Sequence, residues 1–62
     1  MEYILWGTKP NNESWQEDII TVTTSQEHLQ KARKWAEDNS FQNIRVSTYN
    51  GEMPDFKATV RV

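Results

Sequence analysis

The spacing of apolar residues changes twice along this chain, and that change constrains its fold more than any single motif. Glu2–Trp6 is a short, strongly β-prone run brought to a stop by Gly7. Asp18–Thr24 is a second such run, in which Ile19, Ile20, Val22 and three threonines suit a pleated surface. The period then becomes helical. Leu29, Ala32 and Ala36 recur at helical spacing, flanked by His28 and Trp35, with Gln30, Lys31, Lys34, Glu37 and Asp38 on the other face. Alternation returns in Ile44–Tyr49, where Ile44, Val46 and Thr48 oppose Arg45, Ser47 and Tyr49. It returns again in Phe56–Val62, where Phe56, Ala58, Val60 and Val62 oppose Lys57, Thr59 and Arg61. The predicted order is β-β-α-β-β, one small α+β domain over residues 1–62.

The residues between these runs support the divisions. Gly7–Glu17 is polar and carries Pro10, Asn11, Asn12 and Ser14, so the first two strands form an antiparallel hairpin with a long loop. Thr24-Ser25-Gln26-Glu27 has the form of a capping box, with Thr24 as N-cap and Ser25 as its rival. The helix is expected near Thr24–Asn39, with Glu27 and Lys31 placed to pair one turn apart. Asn39-Ser40 offers a stop, because Asn tolerates the left-handed conformation, and Phe41 should fold back onto the helix end. Asn50-Gly51 opens a turn, and Pro54 bars a strand there.

Two hairpins flanking one helix assemble most simply into a four-stranded sheet with the helix across one face. The expected core is Leu5 or Ile4, with Ile20, Val22, Leu29, Ala32, Ala36, Phe41, Ile44, Val46, Phe56, Ala58 and Val60. Two strand orders satisfy this plan. In order 1-2-3-4 the helix joins adjacent parallel strands, and in order 2-1-4-3 the first and last strands pair in parallel at the centre. Met1-Glu2-Tyr3-Ile4-Leu5 opens the first strand, Trp35-Ala36-Glu37-Asp38-Asn39 ends the helix, and Ala58-Thr59-Val60 sits in the last strand. In plan this resembles the β-grasp immunoglobulin-binding domain of protein G. The resemblance implies the 2-1-4-3 order and nothing about binding residues, since fold does not carry function.

Size and composition exclude several classes of protein. In 62 residues, Leu, Ile, Val and Phe number only 12, and a chain this short has a margin of roughly 3–5 kcal/mol. A net charge of only −2 and seven aromatics, three of them Trp, pull it away from disorder. Without cysteine there is no disulfide, thiolate zinc site or thiol nucleophile. The apolar run Tyr3–Trp6 is too short for a secretion signal or a membrane span, so the expected setting is cytoplasmic, of bacterial or phage type, with no membrane partner. Asn12-Glu13-Ser14 fits a glycosylation sequon by chance in such a setting.

Catalytic templates fail one after another. His28 is the only histidine, and its neighbours Ser25 and Glu27 are better explained as helix caps than as nucleophile and orienting acid. Glu17 and Asp18 are adjacent on a strand, so they point to opposite faces and cannot share a proton. Glu13, Glu17, Asp18 and Asp55 lack calcium-loop spacing. Gly7 and Gly51 are the only glycines, too few for a phosphate-cradling loop. The expectation is a non-enzyme without cofactor or metal.

Surfaces are more informative. Residues 1–24 carry four acids against Lys9, and residues 25–62 carry six bases against five acids. Arg45, Lys57 and Arg61 with Tyr49 share the sheet face away from the helix, a pattern that RNA-binding sheets use. The acidic net charge argues against nucleic acid and for an ordinary solvated face. Tyr3/Leu5 and Ile4/Trp6 lie on opposite faces of the first strand, and one helix can cover only one pair. Trp15 stands in a polar, acidic loop. These features predict an interaction module, an adaptor or inhibitor, contacting another protein through Ile4, Trp6, Trp15 and Tyr49. A homodimer through the open sheet face or an edge strand is the second reading, and a single-stranded nucleic-acid binder the third.

Overall fold

The computed structural model describes residues 1–50. The turn expected at Asn50-Gly51, Pro54, the strand expected over Phe56–Val62 and the bases Lys57 and Arg61 lie, from Gly51 onward, outside the described residues. Four elements follow in order: β1 (Glu2–Thr8), β2 (Asp18–Thr23), α1 (Gln26–Asp38) and β3 (Gln42–Tyr49). They form a small α+β fold, with one helix on a three-stranded antiparallel sheet among the described residues.

The sheet order is β2-β1-β3, with β1 antiparallel to both neighbours. This corrects both expected orders. The 1-2-3-4 order needs β2 beside β3, and the β-grasp 2-1-4-3 order reserves one edge of β1 for the last strand. Here β3 occupies that edge, pairing Leu5 with Val46 and Trp6 with Arg45. The physical reason lies in β1, which buries Ile4 on one face and Leu5 on the other. A strand apolar on both faces gains most from the central position. The crossover is easily spanned: 13 helical residues reach about 20 Å, while β2 and β3 are about 10 Å apart across β1.

Leu5 belongs to the core with Ile20, Leu29, Ala32 and Ala36, and Tyr3, Trp35, Phe41 and Ile44 pack around them. The pair Tyr3/Leu5 therefore meets the helix, and Ile4/Trp6 takes the opposite face. Two strand details depart from expectation. First, β1 does not stop at Gly7 but runs to Thr8, with Gly7 paired to Asp18. A Cβ on Gly7 would stand 2.8 Å from Ile20 Cδ1 and 3.2 Å from Phe41 Cδ2, so the glycine lets two side chains close over the strand. Second, β2 bulges. Leu5 pairs with Thr21 and Trp6 with Ile19, leaving Ile20 as the extra residue. The bulge inverts the alternation, so Val22 leaves the expected core and sits opposite Ile4, half-buried on the far face. Val46 lies opposite Leu5 on the helix face yet is 37% exposed, because α1 leans towards β2 and β1.

The helix begins one residue later than the expected cap. Ser25, not Thr24, is the N-cap, and its Oγ accepts from the His28 N–H at 3.2 Å. With Ser25 as cap, the third helical residue is His28, so the reciprocal carboxylate of a capping box is missing. Thr23 Oγ1 replaces it, accepting from the Ser25 N–H at 3.0 Å. Glu27–Lys31 and Arg33–Glu37 pair along the exposed face at 3.6 Å each, worth about 0.3 kcal/mol apiece.

At the other end the left-handed residue is Ser40, at φ 63°, while Asn39 keeps φ −98° and donates its side-chain amide to the Trp35 carbonyl at 2.8 Å. Ser40 N–H donates to Glu37 O at 3.1 Å and Phe41 N–H to Ala36 O at 3.0 Å, the two bonds of a Schellman motif. Its usual apolar contact is present too, Phe41 packing on Trp35 with ring centroids 5.5 Å apart. A serine bears a Cβ penalty at this φ that glycine does not. Ser40→Gly is therefore expected to stabilise the domain by about 0.5 kcal/mol, raising the melting temperature by roughly 2–4 °C. A melting temperature unchanged or lowered in a thermal scan would contradict this account of the helix end.

Candidate functional site

The loop joining β1 to β2 consists of two consecutive turns. In the first, the Asn12 N–H donates to Lys9 O at 3.0 Å, with Pro10 at the position where its fixed φ suits a turn. In the second, the Gln16 N–H donates to Glu13 O at 2.9 Å, and Gln16 Oε1 accepts from the Glu13 N–H at 3.1 Å. Ser14 and Trp15 are the central residues of this doubly closed turn. A third tie comes from β3, where the Asn43 side-chain amide donates to Ser14 O at 3.3 Å and reaches Thr8 Oγ1 at 3.5 Å. Asn43 sits at φ 53° where β3 shifts register against β1, a conformation that Asn tolerates better than most residues. Trp15 emerges from this framework 75% exposed.

Beside the loop, the sheet face away from the helix carries a second cluster. Trp6 and Arg45 are direct cross-strand partners, and the guanidinium carbon lies 4.8 Å from the ring centroid of Trp6. Arg45 Nε and Nη2 both reach Glu17 Oε2 at 2.8 Å. Arg45 Nη1 donates to Ser47 Oγ at 3.2 Å, and the same oxygen accepts from Trp6 Nε1 at 3.0 Å. The arginine is thus held by a ring, a carboxylate and a hydroxyl. Glu17, the last residue of the loop, ties the loop to β3 through it.

These contacts sort the residues singled out from sequence. Ile4 is 3% exposed and forms the floor of this face, with Ile19 also buried beside it, so the apolar strip is largely covered. Trp6 and Tyr49 are half-buried. Of the four expected contact residues, only Trp15 is offered fully to solvent. Arg45 directs its donors to Glu17 and Ser47, and a phosphate would have to displace that carboxylate. His28 Nε2 shares a 3.2 Å hydrogen bond with Thr21 Oγ1, a helix-to-sheet tie. Among the described residues no three His, Asp or Glu side chains gather as a metal site requires. Among the described residues, an open depression of about 350 Å³ is bordered by Glu2, Val22, Thr23 and Thr24, one carboxylate and two hydroxyls. No described helix is long and apolar enough to cross a membrane.

No family model, characterised protein or solved structure matches this chain. The functional reading therefore rests on the geometry of the Trp15 turn and the cluster beside it. Sequence reasoning missed Asn43, Glu17 and Ser47 as members of this region. The available signal for Asn43 was an Asn at a β-prone position, which marks a bulge or turn. Nothing in the sequence pairs Glu17 with Arg45 across 28 residues until the β2-β1-β3 order is known.

Proposed function

We propose that this chain is a small non-enzymatic protein-interaction module whose contact is the first hairpin loop and whose anchor is Trp15. The observation that carries the reading is an indole 75% exposed on a turn whose backbone is tied within itself and to β3. A tryptophan serving the fold is buried against something, as Trp35 is against Phe41. Trp15 has no such place. Exposed indoles on ordered loops are efficient anchors: they bring a large apolar area to an interface, and a pre-ordered turn loses little entropy on binding.

Trp15→Ala is expected to leave stability within about 0.5 kcal/mol, since an exposed side chain contributes little to folding. Binding should fall by roughly 30-fold, the effect of losing a hot-spot residue worth about 2 kcal/mol. Capture experiments with host lysate, comparing wild type and variant, read the second effect. Light scattering separates a foreign partner from a second copy: a concentration-dependent doubling of mass abolished by Trp15→Ala assigns the contact to self-association. A folded variant that keeps both wild-type mass and wild-type partners would overturn the proposal.

A further inference from the structure

We infer that Asn43 is a positioning residue for the Trp15 contact, held in a left-handed backbone conformation so that its side-chain amide fixes the turn that carries the indole. This rests on the reading of Trp15 as a protein anchor and names the residue that sets its pose. Between the pairs Trp6–Arg45 and Thr8–Gln42, β1 has one residue, Gly7, and β3 has two, Asn43 and Ile44. That is a β-bulge, and Asn43, its first residue, has φ 53°. Glycine serves this bulge position without strain, because a Cβ is disfavoured at positive φ. The other left-handed residue described, Ser40, belongs to the helix stop. Asn43 ends no helix. A side chain kept at a strained position points to a role when it makes contacts that glycine could not.

Those contacts run to the loop. The Asn43 amide donates to Ser14 O at 3.3 Å and reaches Thr8 Oγ1, the hydroxyl of a fully buried residue, at 3.5 Å. Ser14 O lies in the peptide plane that also holds the Trp15 N–H, so fixing that oxygen fixes the plane from which Trp15 leaves the turn. The other closures, Gln16 N–H to Glu13 O and Glu13 N–H to Gln16 Oε1, are internal to the turn. They hold its shape and leave its direction free. Direction comes from β3: through Asn43 at Ser14, and through Arg45, which holds Glu17 at 2.8 Å two residues after Trp15. The ion pair is partly exposed and weakened by salt, whereas the amide bond is neutral. A turn held in one direction loses less entropy on binding than one that swings. The left-handed backbone at Asn43 thus costs the fold and serves the contact.

Backbone nitrogen NMR relaxation of the full chain, with a thermal scan, tests this. Asn43→Gly removes both the amide and the strain. Asn43→Asp keeps the size and the tolerance of positive φ but has no N–H to donate. In wild type the backbone of Ser14–Gln16 should show order parameters of about 0.85, and in both variants they should fall towards about 0.6. The melting temperature of Asn43→Gly should stay within about 3 °C of wild type, since relief of strain offsets the lost bonds and the freer unfolded chain. Gln26→Ala deletes another exposed side-chain bond, to Tyr3 Oη at 2.9 Å, and should leave the turn as ordered as in wild type. Asn43→Gly should also weaken capture of whatever partner or second copy Trp15→Ala loses, by about three- to tenfold. Wild-type order at Ser14–Gln16 in either Asn43 variant would overturn the inference and leave the Trp15 anchor standing, as would equal loosening by Gln26→Ala. A large fall in the melting temperature of Asn43→Gly would assign the residue to the fold and overturn it too. So would a loosened turn with capture at the wild-type level. Capture unaffected by Trp15→Ala would instead overturn the anchor reading, and the inference with it.

Discussion

Ala36→Asp is expected to leave the chain unfolded at 25 °C. Ala36 is fully buried, in a core that joins Leu5 and Ile20 of the sheet to Leu29 and Ala32 of the helix. A carboxylate at a fully buried position is stripped of water, and burying it without a partner costs several kcal/mol. It must also be fitted where a methyl group now sits between helix and sheet, which adds an overpacking cost. Against this stands a margin of about 3–5 kcal/mol for a domain of this size. The Ala36 carbonyl also accepts from the Phe41 N–H at 3.0 Å, so the helix stop loosens with the packing. Far-ultraviolet circular dichroism and a thermal scan read the result. Lys34→Asp, on the exposed face of the same helix, is the control: its cost is limited to helix propensity, about 0.5 kcal/mol. If Ala36→Asp melts as cooperatively as this control, the helix does not dock through Leu29, Ala32 and Ala36.

That helix face could be read directly from the chain, whereas the choice between Leu5 and Ile4 as its partner in β1 could not, and the structure settles it for Leu5. Spacing of three and four residues selects one stripe of a helix without tertiary information. The alternation of Ile44, Val46 and Thr48 against Arg45, Ser47 and Tyr49 likewise survives in the register of β3, where Val46 opposes Leu5 and Arg45 opposes Trp6. Strand order was a different matter. Both expected orders treated β1 as one half of a hairpin with a free or parallel edge, whereas it is shared antiparallel between β2 and β3. Local patterns report which residues face a core, and they are silent on which strand lies beside which. The phase of β2 failed for a related reason: a bulge at Ile20 moves Val22 to the other face, and an unbroken run of β-branched residues conceals it.

The candidate site divides in the same way. Trp15 was visible as an aromatic stranded in a polar, acidic loop, and it is 75% exposed. The exposed apolar strip expected on the open sheet face was not met, because burial there depends on neighbours distant in sequence. Ile4 is 3% exposed, and the half-buried Trp6 beside it is engaged by Ser47 and Arg45. Residues that tie the loop to the sheet were invisible for the same cause. Asn43 acts on Ser14 across 29 residues, a link that only the crossover of α1 over β1 creates.

Gly7→Ala should destabilise the domain by about 1–3 kcal/mol, although the substitution favours folding by other routes. Alanine restricts the unfolded chain more than glycine, which on its own would stabilise by about 0.4–1 kcal/mol where the native backbone accepts it. Packing opposes that gain. The new Cβ would lie 2.8 Å from Ile20 Cδ1 and 3.2 Å from Phe41 Cδ2. Ile20 is 1% exposed and has little room to turn aside. Phe41 is fixed by its ring contact with Trp35 and by its N–H bond to Ala36. A double-mutant cycle isolates the closer clash. Ile20→Val removes Cδ1 and by itself costs about 0.5–1.5 kcal/mol. Combined with Gly7→Ala it should cost less than the two singles together, by about 1 kcal/mol, because the methyl that clashed is gone. Urea denaturation of the four proteins measures the coupling. The Phe41 contact persists in the double variant, so recovery should be incomplete. Strict additivity, or a Gly7→Ala domain as stable as wild type, would mean that Ile20 does not close over Gly7 and that β1 continues past it for some other reason.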